Sequence, residues 1–226
     1  PGTCGDVTDL AGVGVNAQLN DSIINDNNDP PDGLLDLSII FSLNPWDSAI
    51  ASGSTEAGLG FCSAPFDGTE CAWPMTGPAQ TASFDNIQDG TCLEADAADL
   101  GGYDPLPNTV IGSCFAATMG SFDIVLSGVT LPLTDVTLAG HYNDTIIDNG
   151  LLKGFLTETA ADAAILPDSV PQFGGKPVSE LLLGGATNAC PDMGDDRDMH
   201  NGESGWWFYV DITGLEVPMT FVPPMP

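Results

Sequence analysis

The sequence predicts a mainly β fold: a disulfide-stapled, β-sandwich-like domain with a few short helices. Three observations lead there. Apolar residues recur with period two through the second half of the chain, as in Phe122, Ile124 and Leu126 or Trp206, Phe208, Val210 and Ile212. That spacing puts alternate side chains on one face of a strand. Glycine and proline are frequent, at 27 and 18 residues, and punctuate the chain with turns. Six cysteines form an even set without any C-x-x-C spacing, which points to bridges rather than to zinc.

The elements follow in order. Val15, Leu19 and Ile23 stand four apart and predict a short amphipathic helix within 15–25. The polar run from Asn25 to Asp32 and the turn residues Pro30, Pro31 and Gly33 end it. Residues 34–43 are almost continuously apolar and read as a buried strand. Periodicity then fails across 63–108 among Pro65, Pro74, Pro78, Pro105 and Pro107. This Pro/Cys-rich stretch is expected to be a pinned loop insertion that either serves function or hides short strands. Strands return around 122–126, 136–140 and 206–212. Helix is confined to 158–166, capped by Thr157 and stopped by Pro167, and to one or two turns at 178–183 before Gly184 and Gly185. Residues 214–226 form an extended tail, and 1–226 together read as a single β-rich domain.

One echo crosses the chain. Asn20-Asp21-Ser22-Ile23-Ile24 leads to Gly33-Leu34-Leu35, and Asn143-Asp144-Thr145-Ile146-Ile147 leads to Gly150-Leu151-Leu152. A duplicated β-hairpin produces such a pattern, and so does chance in an Asn/Asp-rich chain. Both copies open with Asn-x-Ser/Thr, which makes Asn20 and Asn143 glycosylation candidates in a host that modifies secreted proteins.

Charge excludes whole classes of partner. Thirty-two acidic residues, 25 of them Asp, face three basic ones, Lys153, Lys176 and Arg197, for a formal net charge of -29. Nucleic acid is bound by clustered Lys and Arg, which three scattered cations do not supply, and anionic membrane surfaces fail for the same reason. Cations, glycans and other protein surfaces remain, self-association among them. With 42% hydrophobic residues and a mean hydropathy of +0.10, the chain is far from the apolar poverty of disordered acidic segments. No apolar stretch approaches the roughly 20 residues of a membrane helix. The chain opens at Pro1 without an initiator Met, as a mature secreted protein does after processing and as a truncated chain also would.

Cysteine usage agrees with an extracellular compartment. Six cysteines allow 15 pairings. Loop length favours Cys62 with Cys71 and Cys92 with Cys114, which leaves Cys4 for Cys190. Each bridge is expected to contribute roughly 2–4 kcal/mol by restricting the unfolded chain, an offset to self-repulsion.

The densest set of oxygen ligands is the run from Asp192 to Glu203, with Asp192, Asp195, Asp196, Asp198, Asn201 and Glu203 as candidate Ca2+ ligands. Calcium takes six to eight oxygens, and alternating Asp-x-Asp before a Gly turn is one way a loop supplies them. The run departs from an EF-hand at His200 and Asn201 and lacks the closing Glu, so a solvated acidic loop competes with the calcium reading. Asp26, Asn28 and Asp32 form a second, weaker candidate interrupted by Pro30 and Pro31. Catalysis finds little support: there are two histidines, His141 and His200, and no Gly-x-Ser-x-Gly, phosphate loop or His-Glu-x-x-His. Strand parity assigns Trp206 and Phe208 to the core and leaves Trp207 and Tyr209 as candidate ligand-binding residues.

The segment Gly150-Leu151-Leu152-Lys153-Gly154-Phe155-Leu156-Thr157-Glu158 and the acidic loop running into Gly205-Trp206-Trp207-Phe208-Tyr209-Val210-Asp211-Ile212-Thr213 resemble uncharacterised secreted proteins and lipoproteins of myxobacteria and related bacteria. The resemblance covers chiefly the C-terminal half. It implies an extracellular or cell-surface location and no particular reaction. The function expected is a non-catalytic structural or adhesive protein, such as a cation-stabilised subunit of a surface filament or layer. A glycan- or ligand-binding module using Trp207 and Tyr209 comes second, and a secreted hydrolase third.

Overall fold

The computed structural model describes residues 39–61, 71–72, 80–97, 106–126, 129–143, 146–168, 174–182, 184, 195–215 and 219–220. The strands in chain order are β1 (Ile39–Asn44), β2 (Ser52–Phe61), β3 (Cys71–Ala72), β4 (Gln80–Ile87), β5 (Thr91–Leu93), β6 (Val110–Ile111), β7 (Cys114–Leu126), β8 (Val129–Asn143), β9 (Ile146–Thr157), β10 (Asp198–His200), β11 (Glu203–Leu215) and β12 (Met219–Thr220). The mainly β expectation holds. Two compact units divide the chain, one of residues 1–42, 58–79 and 217–226 and one of 43–57 and 80–216.

The larger unit is built on a sheet whose strands within it run in the order β2-β4-β7-β8-β9-β11-β10. Its centre is a meander. β7 pairs antiparallel with β8 from Cys114↔His141 to Leu126↔Val129, and β8 with β9 from Thr134↔Phe155 to Asn143↔Ile146. β11 returns beside β9, with Gly205↔Thr157 at one end and Leu215↔Ile146 at the other. The expected strands at 136–140 and 206–212 are the recognisable middles of longer ones, and 122–126 is the C-terminal end of β7.

Period two then decides what is buried. Phe84, Ala117, Leu138 and Leu152 are successive register partners across β4, β7, β8 and β9, and all four are buried. Burying each large apolar side chain in such a row is worth about 1.5–3 kcal/mol. Gly154 is part of the same packing: a Cβ there would stand 2.9 Å from Leu133 Cδ1 and 3.1 Å from Val136 Cγ2.

The opposite face carries a second, thinner layer. β5 and β6 form a two-stranded ribbon whose Val110 packs with Cys114, Ala139 and Leu151 of the sheet, while Leu93, Ala116 and Tyr209 border the cluster. Cys92–Cys114 bonds ribbon to sheet covalently, as loop length suggested. Three further hydrogen bonds hold this edge: Asn108 N–H to Asp211 Oδ1 (2.8 Å), Asn149 Nδ2 to Thr109 O (2.9 Å) and Asn108 Nδ2 to Gly150 O (3.2 Å).

Helix is minor, as expected. Helix α1 (Glu158–Ala163) starts where Thr157 Oγ1 accepts the N–H of Ala160, and it lies against β8, β9 and β11. It ends earlier than the 158–166 expected. Ile165 is already bridged to Pro177, and the N–H of Leu166 donates to Lys176 O. The second helical segment is a 3-10 turn, Val178–Leu181, tied to α1 by Ser179 Oγ donating to Asp162 Oδ1 at 2.5 Å.

In the smaller unit β12 pairs parallel with β3, Met219 opposite Cys71 and Thr220 opposite Ala72. This part of the tail therefore adds to a strand of its own chain. The expected helix at 15–25, the first copy of the echo, Asn20, Asp26, Asn28, Asp32, Cys4, Cys62, Cys190 and Asp192 lie outside the described residues, as does the side chain of Cys71.

Candidate functional site

The antiparallel register of β9 on β11 sets Lys153 opposite Tyr209 and Phe155 opposite Trp207. Residues directly opposite share a face, so all four project from the ribbon-covered side. Phe155 is buried at the base, and Gly205 leaves room for it, since a Cβ there would come within 2.8 Å of the Phe155 ring. Lys153, Trp207 and Tyr209 are half-buried above it. Lys153 Nζ stands 4.3 Å from the Trp207 ring centroid and 5.5 Å from that of Tyr209, a cation–π pair of contacts worth about 0.5–2 kcal/mol. The Tyr209 hydroxyl accepts the N–H of Asp96 at 3.2 Å.

β10 supplies the next residue. His200 closes a two-residue hairpin with Glu203 through Asn201 (φ 51) and Gly202 (φ 87), the two positive dihedrals of a type I′ turn. The turn delivers the His200 imidazole against Trp207, centroids 4.7 Å apart, and against Phe155 at 5.1 Å. His200 Nε2 lies 2.5 Å from Asp135 Oδ2, and Asn201 Nδ2 donates to the same oxygen at 2.8 Å. Asp135 itself has φ 49 at a bulge where the β8–β9 register shifts between Thr134 and Thr137. Two left-handed non-glycine residues thus meet beside the aromatic cluster, a conformation that costs of order 1 kcal/mol or more per residue.

The three cations have different surroundings. Arg197 Nε and Nη2 donate to both oxygens of Asp195, at 2.8 and 2.7 Å, and Nη1 donates to Glu158 Oε1 at 2.9 Å. The guanidinium holds the Asp195 carboxyl below the usual carboxylate range, and Asp195 raises the Arg197 pKa further. Lys176 pairs with Glu180 at 2.9 Å. Lys153, among the described residues, has no carboxylate within ion-pair distance and rests on aromatic faces alone.

The acidic run reads differently in place. Asp195 is spent on Arg197, Asn201 on Asp135, Asp198 belongs to β10, and Asp196 and Glu203 are exposed. Among the described residues no three His, Cys, Asp or Glu side chains gather as metal ligands. The sequence expectation singled out Trp207 and Tyr209 but not Lys153, Phe155 or Asp135, because cross-strand register is invisible in a single sequence. Asn201-Gly202 was the legible signal, since Asn-Gly is a strong hairpin marker.

Of the two residues that parity assigned to the core, Trp206 is buried, whereas Phe208 is half-buried like Trp207 and Tyr209. Asn143 is exposed at the end of β8, and His141 Nδ1 lies 2.6 Å from Asp148 Oδ1. A separate cleft of about 50 Å³ is lined by Trp46, Ser48, Asn86, Gln88, Ser113 and Tyr142 among others, with Trp46 edge-on to Tyr142 at 4.9 Å. It has room for water but not for a sugar ring.

Compared with protein-family models, curated proteins and solved structures, the chain matches none.

Proposed function

We propose that this protein is a non-catalytic structural or adhesive component of an extracellular surface. The observation that carries the reading is the length of the paired strands. β7, β8, β9 and β11 span 13, 15, 12 and 13 residues, against about 5–6 for an ordinary strand. At about 3.4 Å per residue, β8 alone runs about 50 Å. Long antiparallel ladders, clipped by a disulfide, share load among many backbone hydrogen bonds and suit a rigid building unit.

A net charge of -29 opposes assembly, so assembly depends on screening or bridging cations such as Ca2+. Sedimentation velocity across protein concentration, with calcium and with chelator, tests this: higher oligomers in calcium alone are expected, and a monomer in both at high concentration overturns it.

A second reading is favoured by one specific observation. Trp207 and Tyr209 lie on one face beneath a shared ammonium, with the His200 imidazole beside them, an arrangement suited to a surface ligand-binding module.

A further inference from the structure

We propose that Lys153, Trp207, Tyr209 and His200 bind an otherwise neutral oligosaccharide that carries one carboxylate, a sugar of the uronic-acid class. The inference rests on the ligand-binding reading of the Trp207–Tyr209 face and adds the chemistry that this face selects.

Lys153 is set apart by its surroundings. In a chain with 32 carboxylates, Arg197 and Lys176 each pair with acids, while Lys153, among the described residues, contacts only aromatic faces. An ammonium has three N–H donors, and cation–π contact uses none of them as a directed hydrogen bond to an oxygen. The strand register fixes that donor at 4.3 Å from the Trp207 centroid, so an anion reaching it also meets an indole. Sugar rings present C–H faces to aromatic rings and hydroxyls to polar groups. The His200–Asp135–Asn201 cluster supplies polar groups at the other side of Trp207. Aromatic surface with a few convergent polar groups is the usual composition of a small-molecule site.

The rest of the molecule limits the ligand to one charge. Within a Debye length of about 8 Å at physiological salt, Lys153 acts on its contact partner. Further carboxylates along a polyuronate meet the field of a chain of net charge -29. A single acid on a neutral oligosaccharide satisfies the ammonium without that repulsion.

The test uses the full chain and a panel of neutral oligosaccharides each bearing one glucuronic or galacturonic acid, their carboxyl-reduced counterparts, and a polyuronate. Affinities come from calorimetry, with Lys153→Met and Lys153→Arg compared after circular dichroism confirms their folding. The expected result is saturable binding of at least one mono-acid, weakened tenfold or more by carboxyl reduction or by Lys153→Met, and largely kept by Lys153→Arg. Polyuronate binding should be weaker and should improve with salt. Equal binding of acid and reduced forms, insensitive to Lys153→Met, overturns the carboxylate assignment and leaves the ligand-binding face standing. Absence of binding to every panel member overturns both.

Discussion

Replacing Cys92 and Cys114 by Ala together removes the covalent link between the β5–β6 ribbon and the sheet. The bridge closes a loop of sequence separation 22. Loop-closure entropy for that length is about -11 cal/mol/K, which gives about 3.4 kcal/mol at 25 °C. Cys114 is also buried in the cluster of Val110, Ala139 and Leu151, so truncation leaves a small gap that adds to the loss rather than offsetting it. For a chain of this size, each kcal/mol shifts Tm by roughly 2–4 °C, so the double variant should melt about 7–14 °C lower. Thermal unfolding followed by circular dichroism, with urea titration for the free energy, measures the shift. Amide exchange localises it: protection should fall first at 91–93 and 110–111, whose attachment then rests on the Asn108, Asn149 and Asp96 hydrogen bonds. A double variant within about 1 kcal/mol of the native protein, with unchanged exchange in the ribbon, would refute the reasoning.

Two other substitutions probe separate parts of the account. Gly154→Val should destabilise by about 1–3 kcal/mol, because its Cβ meets Leu133 and Val136 at 2.9 and 3.1 Å in a packed layer; urea unfolding at a native-like midpoint would contradict it. Arg197→Met should cost about 1 kcal/mol at neutral pH, since its partners Asp195 and Glu158 are at the surface and partly solvated. Asp195 has its pKa lowered in the folded state, so the stabilisation is present above the ordinary carboxylate range and is lost as pH falls through the lowered value. The difference between native protein and variant should therefore be flat near neutrality and shrink below about pH 4, and a difference that grows on acidification would contradict the assignment.

The parts of the fold that were legible in the sequence are those governed by local rules. Trp206 to Ile212 alternates and forms β11; Thr157 caps a helix because a hydroxyl before Glu-Thr-Ala can accept the Ala160 N–H; Cys92 and Cys114 pair across a short loop. β4 was not legible. Gln80-Thr81-Ala82-Ser83-Phe84-Asp85-Asn86-Ile87 is small and polar, and only Ala82 and Phe84 become buried, so its strand character comes from pairing with β2 and β7 rather than from its own hydrophobicity. The candidate site was half legible. Trp207 and Tyr209 follow from parity within one strand, but Lys153 and Phe155 join them only through the β9–β11 register, and Asp135 through a bulge. The composition of 192–203 fits a cation loop and a solvated acidic loop alike, and only the structure shows that, within its described part, an Arg197 clamp and an Asn201-Gly202 hairpin take up Asp195 and Asn201.

The central claim, a surface component that assembles when its charge is screened, is tested most directly by negative-stain microscopy of natively purified protein with calcium and again with chelator. Sheets or filaments in calcium that disperse in chelator are expected. Single dispersed particles in both conditions, at concentrations well above those of the sedimentation series, would contradict it.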